Sequence, residues 1–455
     1  MTKKVTDPGF VSQREELKSP VREFVHDPVH GPINLEPHEK LFLDTPIFQR
    51  LRRVKQLQTA HFVYPGANHT RFEHTLGVFH ITSYFAENVL EQLVDNGVLK
   101  HAEKLHYKRL VRLWALFHDV GHGPFSHTFD TAVMSKIGMN HEKLSIRIIK
   151  ENDEIHKGFS SKEFKATGLS IRDVIKAQED SLSKFNPIEK ALLQIIKGPY
   201  SADTTDYLLR DSYHTGVEYG KVAWQRLILT SRIVGDKMCL EKRSKAALIS
   251  FFFARHQMFD TVYYHRTNSA ADRMIRDILE RASDTILPYV EDLNKYVDLD
   301  EESLLQMLKN SSDKTTSQMT RDYMNRRIPW RLAYEEQKPI NESLLIELLR
   351  SEQYQKAIQQ KIGERVGNEL NFYVTGFYIP ETPLNPFRNI AEVDIYNHDT
   401  DSVESWNFIH DLYMHSPFHT WLRVYIDKKH GQKDKAALVK AAKDVFSGSV
   451  AEVHM

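Results

Sequence analysis

The sequence predicts a mainly α protein, with a helical body over residues 24–350 and a small α+β domain over residues 351–455. The body is predicted from apolar residues that recur at helical spacing between Glu39 and Leu349. From Glu369 onward the pattern changes to short runs of aromatic and β-branched residues separated by Pro and Asn, which favours strands. Together the two patterns indicate a large helical unit followed by a smaller mixed one.

The composition is that of a water-soluble protein with a sizeable core. The chain has 455 residues, of which 41% are hydrophobic and 11% aromatic. Its one cysteine, Cys239, excludes an internal disulfide and a cysteine-rich zinc site. No stretch approaches the ~20 apolar residues that a membrane helix needs. The polar segment over residues 1–23 lacks the apolar core of a signal peptide, so we expect a cytoplasmic protein.

The first element predicted after the polar segment is a short hairpin. An Asp-Pro and a Gly-Pro dipeptide between residues 24 and 35 supply its turn signals. Helices follow, and one of them is the apolar stretch over residues 107–117. At the other end of the chain, strands are predicted over 372–379, 390–396 and 420–426, and a last helix over 434–446.

The apolar helix that ends at residue 117 runs into a turn rich in Gly and His. His118 and Asp119 are adjacent, and His122 and His127 follow on a glycine-broken backbone. An imidazole and a carboxylate side by side can reach one divalent ion, while glycine lets the backbone bend the later histidines toward the same space. Each residue taken alone has an alternative interpretation: the aspartate could cap a helix, and a histidine could simply be packed in the core.

Two other places supply candidate ligands in similarly apolar surroundings. The first includes His74, which immediately precedes an apolar helix over residues 78–90. The second is the segment 201–211, in which acidic residues punctuate another helix. A metal site needs more than two ligands, so both segments are candidates to complete it.

The charge balance gives no broad electrostatic footprint for nucleic acid. The chain has 61 basic and 61 acidic residues, so its formal net charge is zero. A nucleotide enzyme needs only a local cluster, and Arg50, Arg52, Arg53 and Lys55 supply one. A solvated helix face is the alternative for that cluster, and nucleic acid as a partner stays open.

The order His74, His118-Asp119, Asp203 resembles the ligand set of the HD-domain phosphohydrolases. The flanking residues resemble the deoxynucleotide triphosphohydrolase branch of that family, over the segment from Phe24 to Glu280. The resemblance implies an all-helical HD-domain catalytic body. It also implies hydrolysis of a deoxynucleoside triphosphate to deoxynucleoside and inorganic triphosphate.

The resemblance implies one divalent metal ion held by His74, His118, Asp119 and Asp203. Two imidazole nitrogens and two carboxylates suit manganese, iron, magnesium or zinc, and leave positions open for water and a phosphate oxygen. Four residues in this order, with these flanks, favour the metal site over four separate structural roles.

The candidate acid/base group is formed by His122, His141 and Asp130. Histidine changes its charge near neutral pH, and a nearby carboxylate orients it and favours the imidazolium. An ordinary helix start capped by Asn140 is the alternative for His141. By resemblance His127 contacts phosphate, and a hydrogen-bonded core histidine is the alternative.

The resemblance also assigns substrate contacts. Gln56 and Leu57 correspond to the deoxyribose pocket, Arg71 to phosphate, Tyr207 to sugar or phosphate, and Asp211 to the 3′-hydroxyl. Arginine presents fixed-fork donors to phosphate oxygens, and a tyrosine packed on the sugar excludes a 2′-hydroxyl by shape. The alternatives are a surface Arg–Glu pair and a core tyrosine.

The chain departs from the family pattern at Thr204, where a phosphate-binding lysine is expected, so part of the triphosphate contact must come from elsewhere. Further along, Tyr264, His265 and Arg266 resemble residues of bacterial and archaeal relatives that face the nucleotide. Aromatic residues on such a helix are more often part of the core.

A second site, for an activating nucleotide, is implied at Asp44, Gln49 and Arg52. The alternative is that Asp44 caps a helix whose first turn contains Pro46. Family members assemble as tetramers or larger, so the resemblance implies a homo-oligomer.

Two other functions remain as alternatives. One is an HD-type nucleotidase or phosphodiesterase that acts on monophosphates or nucleic-acid strands, which would release no inorganic triphosphate. The other is a non-catalytic nucleotide sensor that keeps the metal as a structural clip. Intact ligands together with His122 and His141 argue against the sensor.

Overall fold

A computed structural model describes residues 23–179, 182–339, 351–367, 369–377, 392–407 and 419–446. Of the polar segment predicted over residues 1–23, all but Glu23 lies outside the described residues. Among the described residues, no helix combines the length and apolar character needed to cross a membrane.

The chain begins with the predicted hairpin. Strands β1 (Glu23–Asp27) and β2 (Gly31–Leu35) pair antiparallel. Asp27 Oδ1 accepts the backbone N–H groups of Val29 and His30, each at 2.9 Å, and Gly31 adopts a φ of +71°. A left-handed backbone conformation costs glycine little, so this position suits the tight turn.

Helices form most of the rest. As far as Thr215 they are α1 (Pro37–Leu43), α2 (Pro46–Gln49), α3 (Arg71–Asp95), α4 (His101–Phe117), α5 (Ser126–Ala132), α6 (His141–Glu151), α7 (Asp153–Ser160), α8 (Lys162–Lys165), α9 (Ile171–Ile175), α10 (Pro187–Lys197) and α11 (Ala202–Thr215). Beyond it they are α12 (Trp224–Leu229), α13 (Lys245–Met258), α14 (Arg266–Glu291), α15 (Leu293–Tyr296), α16 (Glu301–Lys309), α17 (Lys314–Met324), α18 (Glu352–Val366) and α19 (Gln432–Phe446).

The antiparallel helices α3 and α4 form the centre of the body. The N-terminus of α3 is fixed because the Glu73 carboxylate accepts the Thr70 backbone N–H at 2.6 Å, in a capping box. Residues such as Phe79, Val89, Leu113 and Phe117, together with many others on these two helices, are fully buried in one apolar core. This core holds the two helix ends that carry the candidate ligands, the start of α3 and the end of α4.

Two sheets complete the fold. Strands β3 (Ser231–Val234), β4 (Lys237–Glu241), β7 (Glu392–Asn397) and β8 (Ser402–Asn407) form one sheet in that order, with β4 and β7 parallel. Strands β5 (Trp330–Pro339), β9 (His419–Asp427) and β6 (Phe372–Phe377) form the other, in which neighbours are antiparallel.

The mainly α fold class is confirmed. Within residues 24–350, however, strands at 231–241 and 330–339 interrupt the body that was expected to be all-helical. Strands β3 and β4 pair with each other across a short turn that the sequence analysis did not predict. The other partners, β7 for β4 and β9 for β5, lie at least 80 residues further along the chain, and local patterning does not detect such long-range pairing. The division at residue 350 stays a prediction, and sheet pairing crosses it in both sheets.

Candidate functional site

The turn after α4 is held tightly from two sides. A Cβ on Gly121 would lie 2.2 Å from the His141 carbonyl oxygen, so only glycine permits this approach to the start of α6. From the other side, the buried Arg50 guanidinium donates to the His122 carbonyl at 2.6 Å. The Tyr296 hydroxyl donates to the Gly121 carbonyl at 2.9 Å. The backbone that carries the candidate ligands and catalytic histidine is therefore fixed.

The four predicted metal ligands lie together. His74 Nε2 is 3.0 Å from Asp203 Oδ1 and 3.8 Å from Asp119 Oδ2. His118 Nε2 is 3.4 Å from Asp119 Oδ1. One donor atom each from His74, His118 and Asp119 falls within 4.8 Å of the others, a spacing that one ion can bridge.

The hydrogen bonds of the two histidines leave the correct nitrogen available for a metal. His118 Nδ1 donates to the Ala115 carbonyl at 2.7 Å, and its buried Nε2 has no hydrogen-bond partner among the described residues. His74 Nδ1 donates to Asp206 Oδ2 at 2.8 Å, so its Nε2 is the nitrogen that faces Asp203 and Asp119. A neutral imidazole fixed in this tautomer is the form that binds a divalent cation. The donor set fits the implied metal.

The cluster also carries an excess of negative charge. Burial lowers the pKa of His74, but the Asp203 and Asp206 carboxylates outweigh this effect and raise the pKa to about 10. Burial raises the pKa of Asp119, but His118, His122 and Arg71 hold that pKa well below its usual range. Ionised carboxylates around a histidine that holds its proton so strongly mark a place where a cation is favoured.

The predicted acid/base residues also converge, and their environments differ. His141 Nδ1 donates to Asp130 Oδ2 at 2.5 Å, and the His122 ring stacks on the His141 ring with 3.9 Å between centroids. Although burial lowers the pKa of His141, the bond to Asp130 raises it overall. Burial and then Arg71 lower the pKa of His122 well below its usual range. The structure thus shifts the pKa values of two stacked imidazoles in opposite directions.

His127 lies at the edge of this group. Its side chain is 67% exposed, and its Nδ1 is 3.7 Å from Asp130 Oδ2. The alternative of a core histidine is therefore wrong. An exposed imidazole beside His122 and His141 is placed to meet a ligand that enters from solvent.

Arg71 is buried rather than on the surface. Its Nη1 donates to Asp119 Oδ2 at 2.5 Å, and its Nε donates to Ser126 Oγ at 3.1 Å. Glu73 is occupied by the helix cap, so the alternative of a surface Arg–Glu pair is wrong. Ser126 has a φ of +45° at the start of α5, and the bond to Arg71 is one contact that holds it there.

The other predicted substrate residues lie nearby, with partners that the sequence did not indicate. Gln56 Oε1 is buried without a partner among the described residues, and Leu57 packs against the core. The Tyr207 hydroxyl accepts a hydrogen bond from Arg255 Nε at 3.0 Å. Asp211 accepts from His69 Nε2 at 2.8 Å and from the Tyr263 hydroxyl at 2.7 Å.

Tyr263 faces this region, where its hydroxyl donates to Asp211 Oδ2. A π-helical turn over Phe259–Tyr263 separates α13 from α14 and changes the register of the side chains by about one residue. His265 instead caps α14, because its Nδ1 accepts the Thr267 N–H at 3.2 Å. Residues 264–266 were expected to face the nucleotide. At His265 this expectation is not supported, because its side chain caps the N-terminus of α14.

The three residues of the predicted activator site are near one another on the surface side of α2. Gln49 Nε2 donates to the Leu43 carbonyl at 2.7 Å, and Arg52 Nε donates to Gln49 Oε1 at 2.8 Å. The Arg52 guanidinium lies 3.7 Å from the centroid of the Phe72 ring. Asp44 follows the end of α1 and is exposed, and it does not cap α2, so that alternative is wrong.

A cavity of about 220 Å³ opens beside the metal cluster. Its wall includes His118, Asp119, Asp203 and Thr204, and it also includes Lys197 at the end of α10. Lys197 Nζ is 3.6 Å from Glu142 Oε1, in a pair that is partly open to solvent. The positively charged Lys197 side chain therefore lines the same cavity as Thr204, the position where the family pattern has lysine.

Comparison with protein families agrees with this geometry. The chain matches the HD domain over residues 71–196 and the HD associated region over residues 222–405. The chain contains an HD domain followed by an HD associated region. The HD domain match includes His74, His118 and Asp119, whereas Asp203 lies between the two matched regions.

The relatives that the chain resembles include proteins named as deoxynucleoside triphosphate triphosphohydrolases. It is 34% identical over 294 residues to an uncharacterized protein of Methanocaldococcus jannaschii, covering 64% of this chain and 55% of the relative. It is 29% identical over 302 residues to the deoxynucleoside triphosphate triphosphohydrolase SAMHD1 homolog of Dictyostelium discoideum, covering 64% and 55%. The SAMHD1 enzyme of Homo sapiens is 27% identical over 349 residues, covering 67% and 54%. The chain spans about half the length of these relatives.

A solved structure shares the fold. A hypothetical protein from Aquifex aeolicus aligns with a TM-score of 0.69 at 24% sequence identity, over 92% of this chain and all of that one. At 24% identity the alignment shows that the two proteins share a fold, and it carries no argument about function.

Proposed function

We propose that this HD-domain protein hydrolyses deoxynucleoside triphosphates to deoxynucleoside and inorganic triphosphate. The observation that carries the proposal is the convergence of His74, His118, Asp119 and Asp203 beside a separate acid/base cluster. The similarity to the SAMHD1 triphosphohydrolases supports the choice of substrate. The reaction breaks the bond between the α-phosphorus and the 5′-oxygen and forms a bond from water oxygen to that phosphorus.

The proposed metal ligands are two imidazole nitrogens and two carboxylates. These four residues would hold a divalent ion, which would supply polarisation of a phosphate oxygen and a lower pKa for water. Arg71 has two tasks, since one nitrogen fixes Asp119 while the guanidinium lies beside the ligands, where phosphate charge would be neutralised. The rigid turn held by Arg50 and Tyr296 keeps these groups in place before substrate arrives.

The proton chemistry falls to the stacked histidines. The hydrogen bond to Asp130 raises the pKa of His141 and favours its charged form, so we assign His141 the donation of a proton to the departing 5′-oxygen. His122 is neutral and stacks against it, so it offers a lone pair instead. The exposed His127 is placed to contact a phosphate oxygen. Two imidazoles in different protonation states are suited to acid and base tasks.

The remaining groups are proposed to recognise the nucleotide. Asp211 with Tyr263 and His69 forms a buried polar group suited to the 3′-hydroxyl, while Tyr207 packs nearby. Lys197, on the cavity wall, is proposed to supply the phosphate contact that Thr204 does not. A second nucleotide at Asp44, Gln49 and Arg52, and assembly into a homo-oligomer, complete the proposal.

The test is product analysis with purified protein supplied with Mn²⁺ or Mg²⁺. Each deoxynucleoside triphosphate is incubated alone and in pairs, and the products are resolved by chromatography. We expect inorganic triphosphate and deoxynucleoside, and turnover only in mixtures would indicate activation at the second site. His118→Ala, which removes one ligand from the cluster, is expected to abolish the products while circular dichroism stays unchanged.

The same samples report the metal by elemental analysis. We expect one divalent ion per chain and none in His118→Ala. Two ions per chain would assign the second to the histidine cluster and contradict the acid/base roles, because one donor atom each from His122, His127, Asp130 and His141 also lies within 4.8 Å of the others. A fully active His118→Ala, or products without triphosphate, would overturn the proposed reaction.

A further inference from the structure

The N-terminal hairpin reaches the back of the metal cluster. His30, in the turn of the hairpin, donates from Nε2 to Asp206 Oδ1 at 2.6 Å. The other oxygen of the same carboxylate accepts from His74 Nδ1 at 2.8 Å. The side chains of His30, His74 and Asp206 are at most 1% exposed. One carboxylate therefore separates the hairpin from a proposed metal ligand.

The Asp206 carboxylate is fully occupied. Besides the two histidines, Arg210 donates to it twice, from Nε to Oδ2 at 2.8 Å and from Nη2 to Oδ1 at 3.0 Å. An ionised carboxylate accepts about four hydrogen bonds, two on each oxygen, and Asp206 has all of them. It cannot rotate without breaking several of them. The His74 ring consequently keeps one orientation and one tautomer.

Asp27 joins this network to the turn of the hairpin. Its Oδ2 accepts from Arg210 Nη1 at 2.9 Å, and its Oδ1 accepts the backbone N–H groups that shape the turn around His30. Asp27 is 3% exposed and the Arg210 side chain is fully buried. The same aspartate thus sets the position of His30 and of the guanidinium.

Stability alone is a poor explanation for this network. Removing charges from water costs several kcal/mol for each ion, and apolar replacements of buried ion pairs are often as stable or more so. An apolar contact would hold the hairpin equally well, and Ile33 on β2 already makes one. What apolar contacts cannot do is fix the direction of an imidazole ring. Hydrogen bonds to the distal nitrogen of a metal-binding histidine do this.

We infer that the hairpin is a functional part of the metal centre, in which His30 and Asp27 are positioning residues that orient His74 through Asp206. This inference rests on the proposed metal centre. Both matched family regions begin after the hairpin, at residues 71 and 222, so neither includes His30 or Asp27.

The test is a Mn²⁺ titration of the full chain, followed by the electron paramagnetic resonance signal of free Mn²⁺. His30→Phe keeps a ring beside His80 and removes the donor to Asp206. We expect its Mn²⁺ dissociation constant to rise by roughly 10- to 100-fold, the usual loss when a partner of a metal-binding residue is removed. His30→Gln retains an N–H donor and should recover part of the affinity.

His80→Phe is the matched control. The His80 ring lies 5.2 Å from the His30 ring, and no hydrogen bond between His80 and Asp206 is present in the described residues. Its affinity for Mn²⁺ should equal that of the unaltered protein. Thermal unfolding in EDTA separates a loss of metal from a loss of fold. Should His30→Phe fail to fold, Asp27→Asn carries the same expectation.

The outcomes distinguish the two proposals. A protein that binds no Mn²⁺ before any substitution contradicts the metal centre itself, and with it the inference. If the unaltered protein binds Mn²⁺ and the folded His30→Phe binds it equally well, the hairpin has no part in positioning and the inference fails while the metal centre stands.

Discussion

Individual side chains in this protein take different charge states because their surroundings differ within a few ångströms. His122 and His141 stack on each other, but only His141 has a hydrogen bond to Asp130. The pKa of His122 falls, first because it is buried and then because Arg71 is near, while the pKa of His141 rises. The two stacked histidines therefore ionise in different pH ranges, with the pKa of His141 above that of His122.

The charge of His141 gives a prediction for Asp130→Asn. The substitution removes the carboxylate that raises the pKa of His141, so the imidazolium is lost at lower pH. If His141 is the acid, the alkaline decline of kcat should move to lower pH in this variant. The stabilisation that protonated His141 gives the fold is present below ~6.5 and lost as pH rises through its higher folded pKa, and the variant should lack it.

The measurement is kcat and thermal unfolding across pH 5 to about 9, since His ionises near ~6.5. Asp130→Glu is the control because it keeps the charge. An alkaline limb at the same pH in Asp130→Asn as in the unaltered protein would remove His141 from the acid role.

Lys197 gives a prediction for phosphate binding. Replacing it by Met removes the cation from the cavity beside the metal ligands. A hydrogen bond to a charged group contributes roughly 1.5–3 kcal/mol, and partial exposure of Lys197 reduces this, so we expect KM for the triphosphate to rise about tenfold. Because the contact exists before and during the reaction, kcat should change little. Lys190→Met, on the same helix but away from the cavity, should leave both constants unchanged, and an equal KM in Lys197→Met would contradict the assignment.

The side chains behind the candidate metal ligands are positioned by a close contact between helices α3 and α11. Gly77 on α3 faces α11, where an added Cβ would lie 1.8 Å from Asp206 Oδ1 and 2.5 Å from Arg210 Nη2. Both atoms belong to the buried network behind His74 and have no free direction in which to move. Helices α3 and α11 can therefore pack this closely around Asp206 and Arg210 only because residue 77 is a glycine.

A pair of glycine substitutions tests this packing. Gly77→Ala should lower the free energy of unfolding by roughly 1–3 kcal/mol or more, because the new methyl overlaps charged atoms in a packed core. Gly363→Ala, on α18, meets only Phe372 Cζ at 3.9 Å and should raise it by roughly 0.5–1 kcal/mol. Denaturant unfolding measures both. Equal effects of the two substitutions would contradict the close approach at Gly77.

The helical body could be predicted from the sequence because its signals are local, whereas the full set of candidate metal ligands was inferred from a family resemblance. Adjacent His118 and Asp119 after an apolar helix form a recognisable pattern, and the hairpin turn has its own dipeptides. The bond from His30 to Asp206 joins residues 176 positions apart, so no local pattern contains it. Tyr263 was missed by one residue because a π-helical turn shifts the side-chain register.

The molecule as a whole is built from segments that are distant in the chain. Strand β4 pairs with β7, and Val393, Ile395 and Trp406 from β7 and β8 pack into the main core. Tyr373 and Tyr425, on β6 and β9, pack against Ala270 and Ala271 of α14. The segment beyond residue 350 therefore contributes to the same core as the helices that carry the candidate site.

Removal of residues 351–455 should consequently destabilise the helical body. The truncation exposes the edges of β4 and β5 and takes Trp406 out of the main core. We expect a protein that aggregates or unfolds without a cooperative transition, as judged by soluble yield and calorimetry. A monodisperse truncated protein with an unchanged unfolding temperature would support residue 350 as the limit of an independent domain instead.

The central claim is that water attacks the α-phosphorus at the proposed metal centre. The most direct measurement is turnover in water enriched in oxygen-18, with mass spectrometry of both products. Because the bond from phosphorus to the 5′-oxygen breaks, we predict one heavy oxygen in inorganic triphosphate and none in the deoxynucleoside. Label in a monophosphate or diphosphate product, without any inorganic triphosphate, would place the attack at another phosphorus and contradict the account.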